Sequence, residues 1–120
     1  MAVVTPVLRI FDLPKAIEFY VDWLGFNIDW EHKFGENFPI YIQVSLGDVV
    51  IHLSEHHGDC SPGGKVLIQA FPALISYHQL LVTKDYKYNK PGIEKASWNT
   101  SLDSMEVVDP FGNRLHFTGA

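Results

Sequence analysis

The chain holds a single cysteine, Cys60, so no disulfide can form within it. It holds no apolar run near the ~18 residues that a membrane-crossing helix needs, which leaves no candidate span. Basic residues are the scarcer charge: nine Lys and Arg stand against fourteen Asp and Glu, a net charge of −5. That balance repels phosphates, and no basic cluster with interleaved aromatics offsets it, so no nucleic-acid partner is expected. The opening stretch MAVVTPVLRI lacks the basic start and small-residue cleavage site of a secretory signal. With the lone cysteine this gives the expectation of a cytoplasmic protein. No nucleophile elbow, phosphate loop or dinucleotide fingerprint is present. Cys60 precedes SPGG with no assured helix start or basic residue beside it, so nothing marks it as an activated nucleophile.

What is present is a repeated order of elements. At 120 residues the chain is expected to form one domain, residues 1–120, with enough bulk for a real core. VTPVLRIF (4–11) reads as a strand. Asp12 caps a helix over 13–24, with Pro14 in its first turn and Gly25 as its stop. At 100° per residue Leu13, Ala16, Ile17, Tyr20, Trp23 and Leu24 share one side. Strands follow at 26–34, 40–46 and 49–55, the last two joined by the tight-turn pair Gly47-Asp48. After the turn-rich HHGDCSPGG (56–64) the order restarts. KVLIQAF (65–71) reads as a strand and 72–84 as a helix with Leu74, Tyr77 and Leu81 on one side. Strand-like stretches then fall at 86–94, 104–108 and 114–118. The expectation is an α+β chain of two βαβββ modules, about 4–55 and 65–118, duplicated in architecture more than in sequence.

Alternation along the strands assigns a core face and an opposite face. Ile40, Ile42 and Val44 point inward and leave Tyr41 and Gln43 outside; Val49, Ile51 and Leu53 leave His52 and Ser54. Val66, Ile68 and Ala70 leave Lys65, Leu67, Gln69 and Phe71, while Leu115 and Phe117 leave Arg114, His116 and Thr118. Superposing the halves sets VIHLS (50–54) over RLHFT (114–118), with His52 on His116, and sets Thr5 over Lys65. The outer faces therefore carry Thr5, Arg9, Tyr41, Gln43, His52, Lys65, Gln69, Phe71, Arg114 and His116, a mixed polar and aromatic set suited to a small-molecule pocket. His116 has three readings: a hydrogen-bonded sheet histidine, a contact to an organic ligand, or a metal ligand.

The front motif LRIFDLPKAIEFYVDWLGF (8–26) and the closing DPFGNRLHF (109–117), set in paired modules, resemble the glyoxalase/bleomycin-resistance/extradiol-dioxygenase superfamily, also called vicinal oxygen chelate. Inside it the chain looks most like bleomycin-resistance-type proteins, small and acidic with a DPxGNxxHF ending; HLSEHHGD followed by PGG also resembles a stretch of bacterial glyoxalase-like proteins. The resemblance implies that each module curls into an open cup and that such short chains pair as homodimers. It also implies four metal-ligand positions, which carry over to Thr5, His52, Lys65 and His116. Threonine and a protonated lysine are poor ligands, and two imidazoles fall short of the three or four protein ligands that zinc takes. The expectation is accordingly a binding protein without a metal cofactor, which sequesters a cationic or aromatic molecule. The alternative is a metal-dependent lyase, isomerase or dioxygenase using His52 and His116. A metal in the loop at His56, His57 and Asp59, or a Cys60 pair with His56 or His57, is the weaker placement.

The same resemblance implies a crevice lined by aromatic and acidic side chains. Phe34, Phe38 and Trp98 flank turn-rich stretches and are candidates for stacking, with Glu31, Glu36, Glu94 and Asp103 as sources of negative charge. Trp30, in phase with Phe26 and Ile28, is expected in the core. The expected ligand contacts are Phe38, Tyr41, Gln43, His52, Lys65, Gln69, Trp98, Arg114 and His116.

Overall fold

A computed structural model describes residues 1–33 and 35–120; Phe34, one of the stacking candidates, lies outside the described residues. The chain divides into two compact units, 1–64 with 109–113, and 65–108 with 114–120. Each contains one four-stranded sheet, and the two sheets have the same strand order.

In the first unit, β1 (Val7–Arg9), β2 (Asn27–His32), β3 (Tyr41–Leu46) and β4 (Val49–Ser54) lie in the order β1-β4-β3-β2. β1 runs parallel to β4, and the rest is antiparallel. A parallel pair needs a crossover between its members, and the helical segment after β1 begins it. Asp12 caps that segment through a 3.1 Å bond from the Lys15 N–H. Only Leu13–Ala16 (α1) is α-helical, however. Ile17–Trp23 continues as a π-helix, in which the Leu24 N–H reaches back five residues to the Phe19 carbonyl. Ala16, Tyr20, Trp23 and Leu24 are buried as the periodicity has them; Phe19, three residues on from Ala16 on the same side, joins them, and Leu13 and Ile17 at the edge of that side are only half-buried. Gly25, at φ +88°, ends the segment in the left-handed conformation that favours glycine. Leu8, Ile10, Phe26, Ile40, Ile42, Val44, Ile51 and Leu53 complete this core as alternation requires.

The turn DPFGN (109–113) belongs to this unit. Asp109 is its hub. One carboxylate oxygen accepts from the Phe111 and Asn113 N–H groups at 2.9 and 2.8 Å. The other accepts from the Tyr20 hydroxyl at 2.7 Å and from Asn113 Nδ2 at 2.8 Å. Asn113 Nδ2 also donates to the Arg9 carbonyl, and its Oδ1 accepts from the Gly64 N–H. Burial pushes the Asp109 carboxyl up, and these hydrogen bonds pull against it.

In the second unit, β5 (Lys65–Ile68), β6 (Glu94–Ala96), β7 (Asn99–Val108) and β8 (Arg114–Gly119) repeat the order as β5-β8-β7-β6, with β5 parallel to β8. Helix α2 (Leu74–Thr83) makes the crossover and buries Leu74 and Leu81. Met105, Val107, Leu115 and Phe117 supply the sheet side of this core. Two readings are corrected here. Only Glu94 of the stretch 86–94 enters a strand; Pro91 and the turns around it keep the rest out of the ladder. Phe71, expected on the outer face, packs against Tyr77 and Phe117 at ring separations of 4.9 and 5.1 Å. Ala70 at φ +57° explains it, since a left-handed residue breaks the alternation after β5 ends at Ile68. Among the described residues no helix is long and apolar enough to cross a membrane.

Candidate functional site

The sheet registers place the two histidines in matching rows. In the first sheet Val7, His52 and Gln43 stand side by side on β1, β4 and β3; in the second, Leu67, His116 and Glu106 do so on β5, β8 and β7.

In the first unit Tyr41, Gln43 and His52 come together as expected. The Tyr41 hydroxyl lies 2.7 Å from His52 Nδ1, and Gln43 Oε1 lies 2.9 Å from His52 Nε2. Gln43 Nε2 donates to Asp29 at 2.9 Å, and Ser45 Oγ donates to the other Asp29 oxygen at 2.9 Å. This chain fixes the proton positions. Asp29 is an acceptor, so the Gln43 amide nitrogen faces it and the amide oxygen faces His52. His52 Nε2 must then carry the hydrogen, and Nδ1 accepts from Tyr41. Both ring nitrogens are committed. Burial lowers the His52 pKa below its ordinary value and raises that of Tyr41, so both rings stay neutral near pH 7.

Over this pair stands Trp30, stacked on Tyr41 with 5.9 Å between centroids and an interplanar angle of 10°, and edge-on to His52 at 5.2 Å. Trp30 is 42% exposed, which corrects its expected place in the core. The cause is a bulge: Ile28 pairs with Val44 but Trp30 pairs with Gln43, so one residue is inserted and the parity of β2 flips. Nothing in the sequence announces that insertion. Phe38 is exposed and folds over Gly35, whose position leaves no room for a side chain beneath the Phe38 ring. No ring contact joins Phe38 to Trp30 or Tyr41 among the described residues. Arg9 turns to the Glu55 carbonyl and stacks its guanidinium on Phe11 at 4.7 Å. Thr5 lies just ahead of β1.

In the second unit Lys65, Arg114, His116 and Trp98 form the set. Glu106, missed in the sequence although it alternates with Met105 and Val107, is flanked by both cations: Lys65 Nζ lies 3.5 Å from Oε1 and Arg114 Nη1 lies 3.6 Å from Oε2. Ser104 Oγ lies 2.6 Å from His116 Nε2. Trp98 projects from the β6–β7 turn, 55% exposed, with its ring edge-on to His116 at 5.7 Å. Gln69 lies beyond the end of β5, exposed and outside this set. Asp103 is paired with Lys95 at 2.9 Å, so much of its charge is spoken for.

The loop residues do not assemble a centre. His56 and His57 stack on each other in the open, His56 lies 3.6 Å from Asp59, and burial pushes the Cys60 thiol up. Among the described residues no group of three or more His, Cys, Asp or Glu side chains is placed to hold a metal ion.

The tautomer of His52 gives a direct prediction. Its titration midpoint, followed through its ring carbon-bound protons by NMR, is expected below 6.5 and moves upward in Tyr41→Phe. Losing the hydroxyl frees Nδ1, the nitrogen that protonates. A midpoint unchanged or lowered by the substitution would contradict the assignment.

A family model described as "Glyoxalase superfamily protein" matches residues 1–120. No curated protein matches the chain. Among solved structures, the chain is similar to a bleomycin-binding protein from bleomycin-producing Streptomyces verticillus in complex with copper(II)-bleomycin: 26% identity, coverage of 100% of this chain and 97% of that one, TM-score 0.68. It is also similar to a bleomycin-binding protein in complex with bleomycin, at 20% identity, 100% and 99% coverage and TM-score 0.73. A bleomycin resistance determinant encoded on the transposon Tn5 matches at 17% identity, 99% and 98% coverage and TM-score 0.72. The last two likenesses, at their low identity, are likenesses of fold.

Proposed function

Because the chain belongs to the glyoxalase superfamily, we propose that it is a small-molecule-binding protein of the bleomycin-resistance type, which holds a cationic or aromatic compound and breaks no bond. The observation that carries this reading is the closed hydrogen-bond chain at His52. A metal ligand must offer a lone pair, and at His52 the nitrogen that has one is occupied by Tyr41 while the other bears a hydrogen held by Gln43. Lys65, at another of the family's ligand positions, is directed to Glu106 as an ammonium. These donors do not fit a divalent ion, and the function proposed has no resident cofactor. The outer faces instead offer exposed indoles at Trp30 and Trp98 beside hydrogen-bonding side chains, the combination that seizes flat heterocycles. The likeness to the copper(II)-bleomycin-binding protein supports a ligand of that class.

Titration calorimetry with metal-free and copper(II)-loaded bleomycin tests the ligand, beside metal analysis of the purified protein. Saturable heat with protein carrying well under one equivalent of zinc, nickel, iron or manganese is expected. No heat with either drug form removes bleomycin, and stoichiometric tight metal at His52 and His116 replaces the binder with a metal-dependent lyase, isomerase or dioxygenase.

The proposed assembly is a homodimer. Exposed large apolar side chains in both units, Phe11 and Phe38 in one and Leu67, Ile75, Leu80 and Val82 in the other, support a partner surface. Sedimentation at micromolar concentration is expected to give twice the 13.6 kDa chain mass, with an interface of at least about 1,000 Å². A monomer there counts against a binding crevice built from two chains.

A further inference from the structure

The matching rows of the two sheets differ at one end. In the first sheet the row Val7, His52, Gln43 is completed by Trp30. In the second, the antiparallel pairing of Glu94 with Ser104, carried two residues back, sets Gly92 level with Glu106. Where one sheet places an indole, the other has no side chain at all. A Cβ built on Gly92 would meet nothing within 4 Å. The space is a cavity of about 320 Å³ lined by Gly92, Ile93, Glu94, Ser104, Glu106 and His116.

The charge facing this cavity has one sign. Among the described residues its only formally charged lining groups are the carboxylates of Glu94 and Glu106. Lys65 and Arg114, which meet Glu106, are not among the lining residues, and both lie at long ion-pair distances with more than half of each side chain in solvent. Pairs so exposed are worth little, and a carboxylate has lone pairs beyond those that two long contacts engage. The Glu94 carboxylate has no ion-pair or hydrogen-bond partner among the described residues. Ser104 Oγ and His116, already joined at 2.6 Å, add polar atoms to the wall, and Ile93 adds an apolar patch.

We propose that this cavity is a subsite for a compact cationic group with several N–H donors, an alkylammonium or amidinium borne by the ligand. The proposal rests on the reading of the chain as a small-molecule binder and gives the charge class taken by the second sheet. An ammonium or amidinium supplies donors to both carboxylates, and charge-assisted bonds of that kind are the strong ones. The first sheet cannot do the same, because Trp30 fills the equivalent place and the Asp29 carboxylate is taken by Gln43 and Ser45.

The test uses benzamidinium, with neutral benzamide and anionic benzoate as probes of the same shape, followed by amide NMR of the whole protein. Benzamidinium is expected to shift the signals of Gly92, Ile93, Glu94 and Ser104 saturably, and benzamide and benzoate to leave them nearly still. Glu94→Gln, at an exposed position, should weaken the binding by about tenfold, the scale of one hydrogen bond to a charged group. Gly92→Phe should abolish it by filling the space, and a thermal melt checks that this variant folds. Equal shifts with benzoate, no saturable shift with benzamidinium, or undiminished binding to Glu94→Gln each overturn the subsite. Failure here with bleomycin heat retained removes the subsite alone; saturable benzamidinium shifts without bleomycin heat remove the bleomycin-type reading and leave the subsite standing.

Discussion

Asp109→Ala is expected to lower the melting temperature by about 10 °C or more, the largest loss from any single polar side chain of the protein. Asp109 is 5% exposed and its two oxygens accept four hydrogen bonds, from the N–H groups of Phe111 and Asn113, the Asn113 amide and the Tyr20 hydroxyl. Alanine removes both acceptor oxygens, and with them all four bonds, and replaces none. The Tyr20 hydroxyl, fully buried in the first core, is left without a partner, as is one donor of the Asn113 side chain. An unsatisfied buried group costs about 1–3 kcal/mol, so a total near 3 kcal/mol follows. At this chain length each kcal/mol moves the midpoint by roughly 4 °C. Scanning calorimetry measures it. Tyr20→Phe, which withdraws one donor and leaves the turn its acceptor, should cost clearly less, and the double variant should cost less than the sum because the two share a bond. A drop below about 3 °C for Asp109→Ala would mean that water replaces the carboxylate and that the network is not closed.

That turn is also where the sequence spoke most plainly. DPFGN needs a left-handed residue, and Gly112 takes it at φ +90°. Alternation in the strands around it put His116 opposite Leu115 and Phe117, as found. Likewise the period-two patterns of 40–46 and 49–55 were enough to gather Tyr41, Gln43 and His52 on one face. What could not be read are the places where backbone geometry interrupts a period. The bulge after Ile28 turns Trp30 outward, and the left-handed Ala70 turns Phe71 inward. Each is a single irregularity with no residue type that demands it, and each moves an aromatic side chain between core and surface. Glu106 and Ser104 are different: the same alternation points to them, but their importance comes from partners on β5 and β8, far off in sequence. The open place beside them arises from Gly92, in a stretch that reads as strand and is mostly irregular.

Trp98→Ala is expected to weaken bleomycin binding by about 1–3 kcal/mol, roughly five- to 150-fold, the scale of an aromatic anchor at a binding surface. The ring stands on the β6–β7 turn with more than half of its surface in solvent, and its one ring contact among the described residues is the edge-on approach to His116. An indole so placed gains little from folding, so its exposure calls for another role. Removal should change stability by no more than about 0.5 kcal/mol, as for an ordinary surface position. Binding loss with an unmoved melt is therefore the signature of a ligand contact. Trp30→Ala offers the comparison, because Trp30 spends one face on Tyr41 and shields His52. It should weaken binding as well, but it should also carry the His52 titration midpoint upward toward 6.5, since the burial that depresses it is relieved. Calorimetry with copper(II)-bleomycin and a thermal melt of each variant decide the matter. A large fall in the melting temperature of Trp98→Ala with drug affinity retained would assign Trp98 to packing, and the aromatic contact of the second unit would have to be sought elsewhere.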